Sequence, residues 1–255
     1  MSLSESGHAE YELVLMVRSL NPASVMEKIS ELNSLGDYRL VRKGIENLRD
    51  LYFDTPDHSL SRRRLNLRLR YSGSLARITL KQSPGLLTRN RNERRETELD
   101  WSPSSLSKIM EAISSRGIRL ETNASGVGDP TDSMKKLGLI VIQDRETKRA
   151  SRGIVSVEGA TLAELAIDSV TYHFAVGDIM LDEVEVEAKS KNGQEVVDEV
   201  AQYLTRMFGP ELQRWKSGKL STGMKIEKLL ENGRLKGMIE EGRLKQEAYG
   251  LLLGN

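Results

Sequence analysis

Charged side chains recur at every second position along several stretches of this 255-residue chain: Glu10 and Glu12, Arg68 and Arg70, Arg94, Glu96 and Glu98, then Glu183, Glu185 and Glu187. In a β-strand alternate side chains share a face, so each set lines one face of its strand. Within a set the charges mostly share a sign. Arginine and lysine neutralise phosphate oxygens, arginine through a two-pronged fork. Clustered glutamates are hard oxygen donors suited to Mg2+ or Mn2+, ions that bridge phosphates in turn. Faces sorted in this way suit a polyanion held together with a divalent cation. The same carboxylates also suit an internal salt-bridge network with the arginines.

The elements that must position these groups read as strands first, with helices in the gaps. Glu10 to Arg18 alternates and is rich in Val and Leu, and Asn21-Pro22 opens a helix from about Ala23 to Ser34. Tyr38 to Lys43 and Leu48 to Asp54 are the next two strands, closed by the turn Asp54-Thr55-Pro56-Asp57. Leu65 to Tyr71 and Leu75 to Gln82 flank Ser72-Gly73-Ser74 and form a hairpin. Arg91 to Trp101 is a long strand, and Ser102-Pro103 caps a helix to about Arg116. A mobile connection over Asn123 to Pro130 and a short helix near Thr131 to Leu137 follow. Four strands come next: Leu139 to Thr147, Ile154 to Val157, Leu162 to Phe174 and Ile179 to Lys189. After Asn192-Gly193 the pattern turns helical, with Val196, Val197, Val200 and Leu204 on one face. The segment from Ser221 onward is a charged amphipathic helix that packs on the domain or on a second copy of the chain, a homodimer in the latter case.

Composition narrows the classes. With 38 Lys+Arg against 37 Asp+Glu the net charge is +1, so no whole-molecule field argues for nucleic acid or an anionic membrane. The distribution is uneven. From Arg62 to Arg95 the chain carries Arg62, Arg63, Arg64, Arg68, Arg70, Arg77, Lys81, Arg89, Arg91, Arg94 and Arg95 against a single acid, Glu93. Tyr71 is the only aromatic in that run, so base stacking has little to work with and 5′-triphosphorylated RNA is the best form of a minor nucleic-acid reading. The absence of cysteine excludes disulfides, thiolate nucleophiles and Cys-ligated zinc. No apolar run approaches the roughly 18 to 20 residues that span a bilayer. The N-terminus is too acidic for a secretory signal. A soluble, cytoplasmic protein is expected. Gly218-Lys219 lacks the earlier glycine of a P-loop, and His8, His58 and His173 show no paired spacing.

About ten strands joined by short turns imply an antiparallel sheet that stacks as a sandwich or closes as a barrel. A solvated sandwich face mixes signs, because like charges side by side repel. Purely basic and purely acidic pairs recurring strand after strand fit a barrel with a polar interior better.

Leu51-Tyr52-Phe53-Asp54-Thr55-Pro56-Asp57, then Leu67-Arg68-Leu69-Arg70, Thr79-Leu80-Lys81 and Arg95-Glu96-Thr97-Glu98 resemble the core signature of the CYTH family, the triphosphate tunnel metalloenzymes. Arg145, Ala166-Ile167-Asp168, the Glu183-Val184-Glu185-Val186-Glu187 strand and Trp215-Lys216-Ser217-Gly218-Lys219 follow in order, so the resemblance covers roughly Glu10 to Lys219. It implies an α+β fold: an antiparallel eight-stranded β-barrel, the triphosphate tunnel, with flanking helices and a C-terminal helical tail. The tunnel domain would span residues 9–219 and the tail 220–255. It also implies a triphosphate-containing small molecule as partner and Mg2+ or Mn2+ as cofactor. Members include inorganic triphosphatases, thiamine triphosphatases and class IV adenylate cyclases.

Carried over by position, Arg68, Arg70, Lys81 and Arg145 hold phosphate oxygens, and Lys216 or Lys219 closes the site. Arg68, Arg70 and Lys81 double as the catalytic cations. Glu10, Glu12, Asp168 and two of Glu183, Glu185 and Glu187 hold metal, with Glu185 common to either register. Glu96 orients the basic groups. The chain departs from the family's E-x-E-x-K at its third position, where Val14 stands in place of lysine. A metal-dependent triphosphatase is therefore expected, against two alternatives: a module that captures polyphosphate or a nucleoside triphosphate without turnover, and a class IV-type cyclase.

Overall fold

A computed structural model describes residues 11–82, 95–121, 128–190 and 193–253. Glu10, Arg94, the loop Leu86 to Arg91 and most of Asn123 to Pro130 lie outside the described residues. In chain order the elements are β1 (Glu12–Val17), α1 (Pro22–Glu31), β2 (Ser34–Leu35), β3 (Tyr38–Asp54), α2 (Ser59–Arg62), β4 (Leu65–Ser72), β5 (Leu75–Gln82), β6 (Arg95–Asp100), α3 (Pro103–Ser114) and α4 (Pro130–Lys136). There follow β7 (Ile140–Val155), β8 (Thr161–Phe174), β9 (Gly177–Ala188), α5 (Gly193–Phe208), β10 (Leu212–Trp215), α6 (Lys219–Glu231), β11 (Ile239–Glu240), β12 (Arg243–Leu244) and α7 (Gln246–Leu253).

Helices α1, α3 and α4 start by one device. A short polar residue accepts a backbone N–H three positions on, Asn21 from Ser24, Ser102 from Ser105 and Asp129 from Asp132, and proline follows it at the first helical position. Proline there loses no helical hydrogen bond. The turn Asp54-Thr55-Pro56-Asp57 serves α2 in a different way. The buried Asp54 carboxylate accepts the backbone N–H groups of Thr55, Leu60 and Ser61, satisfying donors that a helix start leaves unpaired.

The chain divides into two compact units. Among the described residues one comprises 48–144 and the other 11–47 and 145–253, so β3 and β7 each contribute to both. In the first unit β3, β4, β5 and β6 pair antiparallel in that order. One face carries Leu51, Phe53, Leu67, Leu69, Ile78 and Leu80, packed with Leu106, Ile109 and Ile113 of α3 and with Met134 of α4. In the second unit the order is β10-β1-β9-β8-β7. One face there, with Leu15, Val17, Leu165, Ile167, Val184 and Val186, packs on α1 and α5. The opposite face is apolar at one end, where Val14, Met16, Val170, Tyr172, Ile179 and Leu181 meet Ile226 and Leu229 of α6 and Ala248, Tyr249 and Leu252 of α7.

Antiparallel pairing and flanking helices agree with the α+β expectation, but the sheet is open. Among the described residues no ladder joins β6 to β10, and closure into an eight-stranded barrel needs a continuous ring of strand pairing. The strands expected at 38–43 and 48–54 are one strand, β3, and those at 139–147 and 154–157 are likewise β7. Arg152-Gly153 and the polar residues between the apolar stretches read as breaks, yet each strand runs through them. The tail is not one helix, since the hairpin β11–β12 separates α6 from α7. No described helix is long and apolar enough to cross a membrane.

Replacing Asp54 with alanine strands three backbone donors around α2 and removes a buried charge from its cage. Chemical denaturation of Asp54→Ala should show a loss of about 2 to 4 kcal/mol. A change under about 0.5 kcal/mol would show that the carboxylate does not hold the turn.

Candidate functional site

In the second unit, the pairing of β8 with β9 sets Asp168 opposite Glu183 and Ala166 opposite Glu185. On its other side β9 meets β1, with Val14 opposite Glu185 and Glu12 opposite Glu187. Asp168 is 0 % and Glu183 1 % exposed, Glu185 is half-buried, and one carboxylate oxygen from each lies within 4.8 Å of the others. Isolated carboxylates this deep would be too costly to ionise together. Two cations make the arrangement tenable. Arg149 of β7 donates Nε to Asp168 at 2.8 Å and Nη2 to Asp168 at 2.5 Å and Glu185 at 2.6 Å. Lys219, the first residue of α6, places Nζ 2.9 Å from Asp168 Oδ2, 2.6 Å from Glu185 Oε1 and against Glu183 Oε1.

Lys219 is itself held in place. The buried Tyr172 hydroxyl donates to its carbonyl at 3.0 Å, and Trp215 Nε1 donates to Thr222 Oγ1 in the first turn of α6 at 2.9 Å.

The titration behaviour follows from this packing. Burial pushes Glu183 up to about 7, against the pull of Lys219. Burial acts on Glu185 in the same sense, but Lys219 and Arg149 beside it outweigh that and hold it at about 2. Burial disfavours the Lys219 ammonium, yet Glu183, Glu185 and Asp168 keep it protonated well above the ordinary lysine range. Arg149 is held above its usual range by Asp168 and Glu185 in the same way.

The first unit carries a second charged face. Registers align Asp50, Arg70, Arg77 and Asp100 in one row across four strands, and Tyr52, Arg68, Thr79 and Glu98 in the next. Lys81 stands opposite Glu96. Asp50 thus meets Arg70, Arg77 meets Asp100 and Lys81 meets Glu96, while Arg70 and Arg77 stand side by side. Arg70 grips the buried Asp50 through Nε and Nη2 at 2.7 and 2.9 Å. Arg68 donates to Glu98 at 3.0 Å, and Lys81 pairs with Glu96 at 2.7 Å.

Of the residues named from sequence, the second unit brings together Asp168, Glu183, Glu185 and Lys219, and Arg145, buried at 2 % exposure, contributes to holding the Glu185 carboxyl down. Glu187 turns to Lys189 at 2.7 Å, Glu12 is exposed, and Lys216 is exposed outside the cluster. The first unit brings together Arg68, Arg70, Lys81 and Glu96. Arg149 and Asp50 were missed. Arg149 lies two steps of the strand period beyond Arg145, past the buried Thr147, so it shares the face of the arginine that the resemblance marks.

The CYTH domain model matches residues 17–213, and the chain belongs to the CYTH domain family. No curated protein sequence matches it significantly. A solved structure of the Hippeastrum protein HpAC1, described as an adenylyl cyclase with a dominant triphosphatase activity, is similar at 18% identity and TM-score 0.54, over 86% of this chain and 96% of that one. A Bacillus halodurans protein named as an adenylate cyclase is similar at 20% identity and TM-score 0.49, over 84% and 97% of the two chains. The inorganic triphosphatase NE1496 matches at 17% identity and TM-score 0.26, over 72% and 79%.

The Glu183 shift has a signed consequence for stability. Its folded value, about 7, lies above the ordinary 4.5, so its contribution is fully present below about pH 4.5 and lost as pH rises through 7, an effect of roughly 3 kcal/mol. Glu185 acts oppositely, with stability present above about 4.5 and lost toward pH 2. Urea midpoints measured from pH 4.5 to 7.5 should show a falling contribution in the wild type that Glu183→Gln removes. An unchanged pH slope in that variant would contradict the assignment.

Proposed function

We propose that this CYTH-domain protein is a divalent-metal-dependent hydrolase of triphosphate compounds. The observation that carries the reading is the buried carboxylate triad of Asp168, Glu183 and Glu185, interleaved with the cations Arg149 and Lys219. The donor set fits Mg2+ or Mn2+ by its chemistry, three hard carboxylate oxygens within 4.8 Å of one another. Asp168, Glu183 and Glu185 would hold it, and when bound it supplies Lewis-acid polarisation of phosphate oxygens and activation of water.

In this reading the chain's own residues bind and orient. Within the first unit Arg68, Arg70 and Lys81 serve as phosphate donors, and within the second Arg145 does; a guanidinium carries five N–H groups, so a grip on one carboxylate leaves donors for an anion. Pairing with Asp50, Glu96 and Glu98 fixes the rotamers of Arg68, Arg70 and Lys81 beforehand, which lowers the entropy lost on binding. Charge neutralisation by such preset cations is what phosphoryl transfer requires most, since the charge is spread over the non-bridging oxygens. Water attacks the terminal phosphorus in line and diphosphate leaves; no protein nucleophile is needed. The triphosphatase activity in the name of the Hippeastrum relative supports this class of substrate.

A second reading, capture without turnover, is favoured by Val14. It is 7 % exposed within the apolar cluster of Trp215 and Ile226, and no cation stands at that position.

Phosphate release from tripolyphosphate, ATP and thiamine triphosphate should be measured with Mg2+ or Mn2+ and after chelation. Hydrolysis of at least one should require metal and fall by about 100-fold or more in Glu185→Gln. Thermal stabilisation by tripolyphosphate with no phosphate released from any of the three would establish the capture reading. Cyclic nucleotide and diphosphate from ATP would establish a cyclase.

A further inference from the structure

We propose that Lys219 is a tethered counter-ion seated where a divalent cation would sit, so that metal binding at the triad and docking of α6 exclude one another. The proposal rests on the reading of Asp168, Glu183 and Glu185 as the metal ligands. Its own basis is geometric. The three oxygens lie within 4.8 Å of one another, and the Lys219 Nζ, 2.9 Å from Asp168, 2.6 Å from Glu185 and touching Glu183, already occupies the space among them that a shared cation would take. Two cations so close repel strongly.

The charge balance agrees. Lys219 and Arg149 already bring two positive charges into contact with the triad, and Arg145 acts on Glu185. A metal must therefore displace a partner. Arg149 projects from within the sheet, on β7, whereas Lys219 begins a helix. A lysine in the first turn also runs against the helix dipole, a cost that its contacts with the carboxylates offset.

Withdrawal of Lys219 pulls on the rest of the tail. Its carbonyl accepts from Tyr172, Thr222 accepts from Trp215, and α6 and α7 share one apolar cluster with the sheet. The matched family region ends at residue 213, so this competing cation is delivered by a segment beyond it. Metal occupancy and tail docking are thereby linked, each weakening the other by the same factor.

Mn2+ binding, followed by electron paramagnetic resonance on the full chain, tests this directly. Lys219→Met should bind Mn2+ roughly tenfold or more tightly than wild type, within the range usual for coupled sites, and Glu185→Gln added to it should abolish the gain. Equal Mn2+ affinity in wild type and Lys219→Met, lost in Glu185→Gln, would overturn the competition while leaving the metal site in place. No Mn2+ binding in either would overturn both. A measurement on the unmodified chain covers the case in which the variant does not fold. Saturating Mn2+ should speed hydrogen exchange in peptides spanning Lys219–Leu229, and unchanged or slowed exchange there would overturn the proposal.

Discussion

Three carboxylates on two adjacent strands, withdrawn from water, set the terms for the second unit. Asp168 and Glu183 face each other directly across β8 and β9, and at such a pair like charges repel and desolvation adds to the cost. The sheet offers Arg149 as one partner. The other must come from outside the sheet, and it comes from α6. The need to neutralise the triad therefore reaches beyond the strands and fixes where the tail must begin, with Tyr172 and Trp215 holding the first turn of α6 in register.

The first unit meets the same constraint within its sheet. Asp50, Arg70, Arg77 and Asp100 form a row that alternates in sign at its ends and is basic at its centre. Asp50, 1 % exposed, carries the burden, because Arg70 chelates it and Arg68 stands 3.9 Å away. Removing Asp50 would leave two adjacent guanidinium groups without their shared partner. A buried ion pair contributes little net stability compared with an apolar pair, so the value of such rows is in fixing donor geometry rather than in holding the sheet together.

Much of this was legible in sequence. Strand period alone puts Arg68 with Arg70, and Glu183 with Glu185, on common faces, and Asn21-Pro22 and Ser102-Pro103 announce their helices. Pairing across strands was not legible, because period two says which face a charge takes and nothing about its neighbour in register. That Arg70 meets Asp50 and Lys81 meets Glu96, while Arg70 and Arg77 stand side by side and Asp168 faces Glu183, is fixed by register alone. The family pattern marks Arg145 and says nothing of Arg149 on the same face. Asp50 gives no alternating signal, because its neighbours at the strand period, Leu48 and Tyr52, carry no charge. The long strands β3 and β7 looked broken because polar residues inside them resemble turns, and only a partner strand can show that the ladder continues.

Val14 is best understood together with Lys219. Its side chain shares a face with Glu185, directly opposite in register, and packs into the cluster that includes Trp215 and Ile226. An ammonium at position 14 would have to be buried among those apolar groups, and it would compete with Lys219 for the same carboxylate. Either change alone carries a cost: a lysine at 14 with the tail docked puts an unmatched cation in the cluster, and a neutral residue at 219 leaves three carboxylates to Arg149 and Arg145. Valine at 14 and lysine at 219 are the consistent pair. The apolar residue lets the tail seat on the sheet, and the seated tail brings back the positive charge that the valine removed, now on a helix that can leave rather than on a strand that cannot.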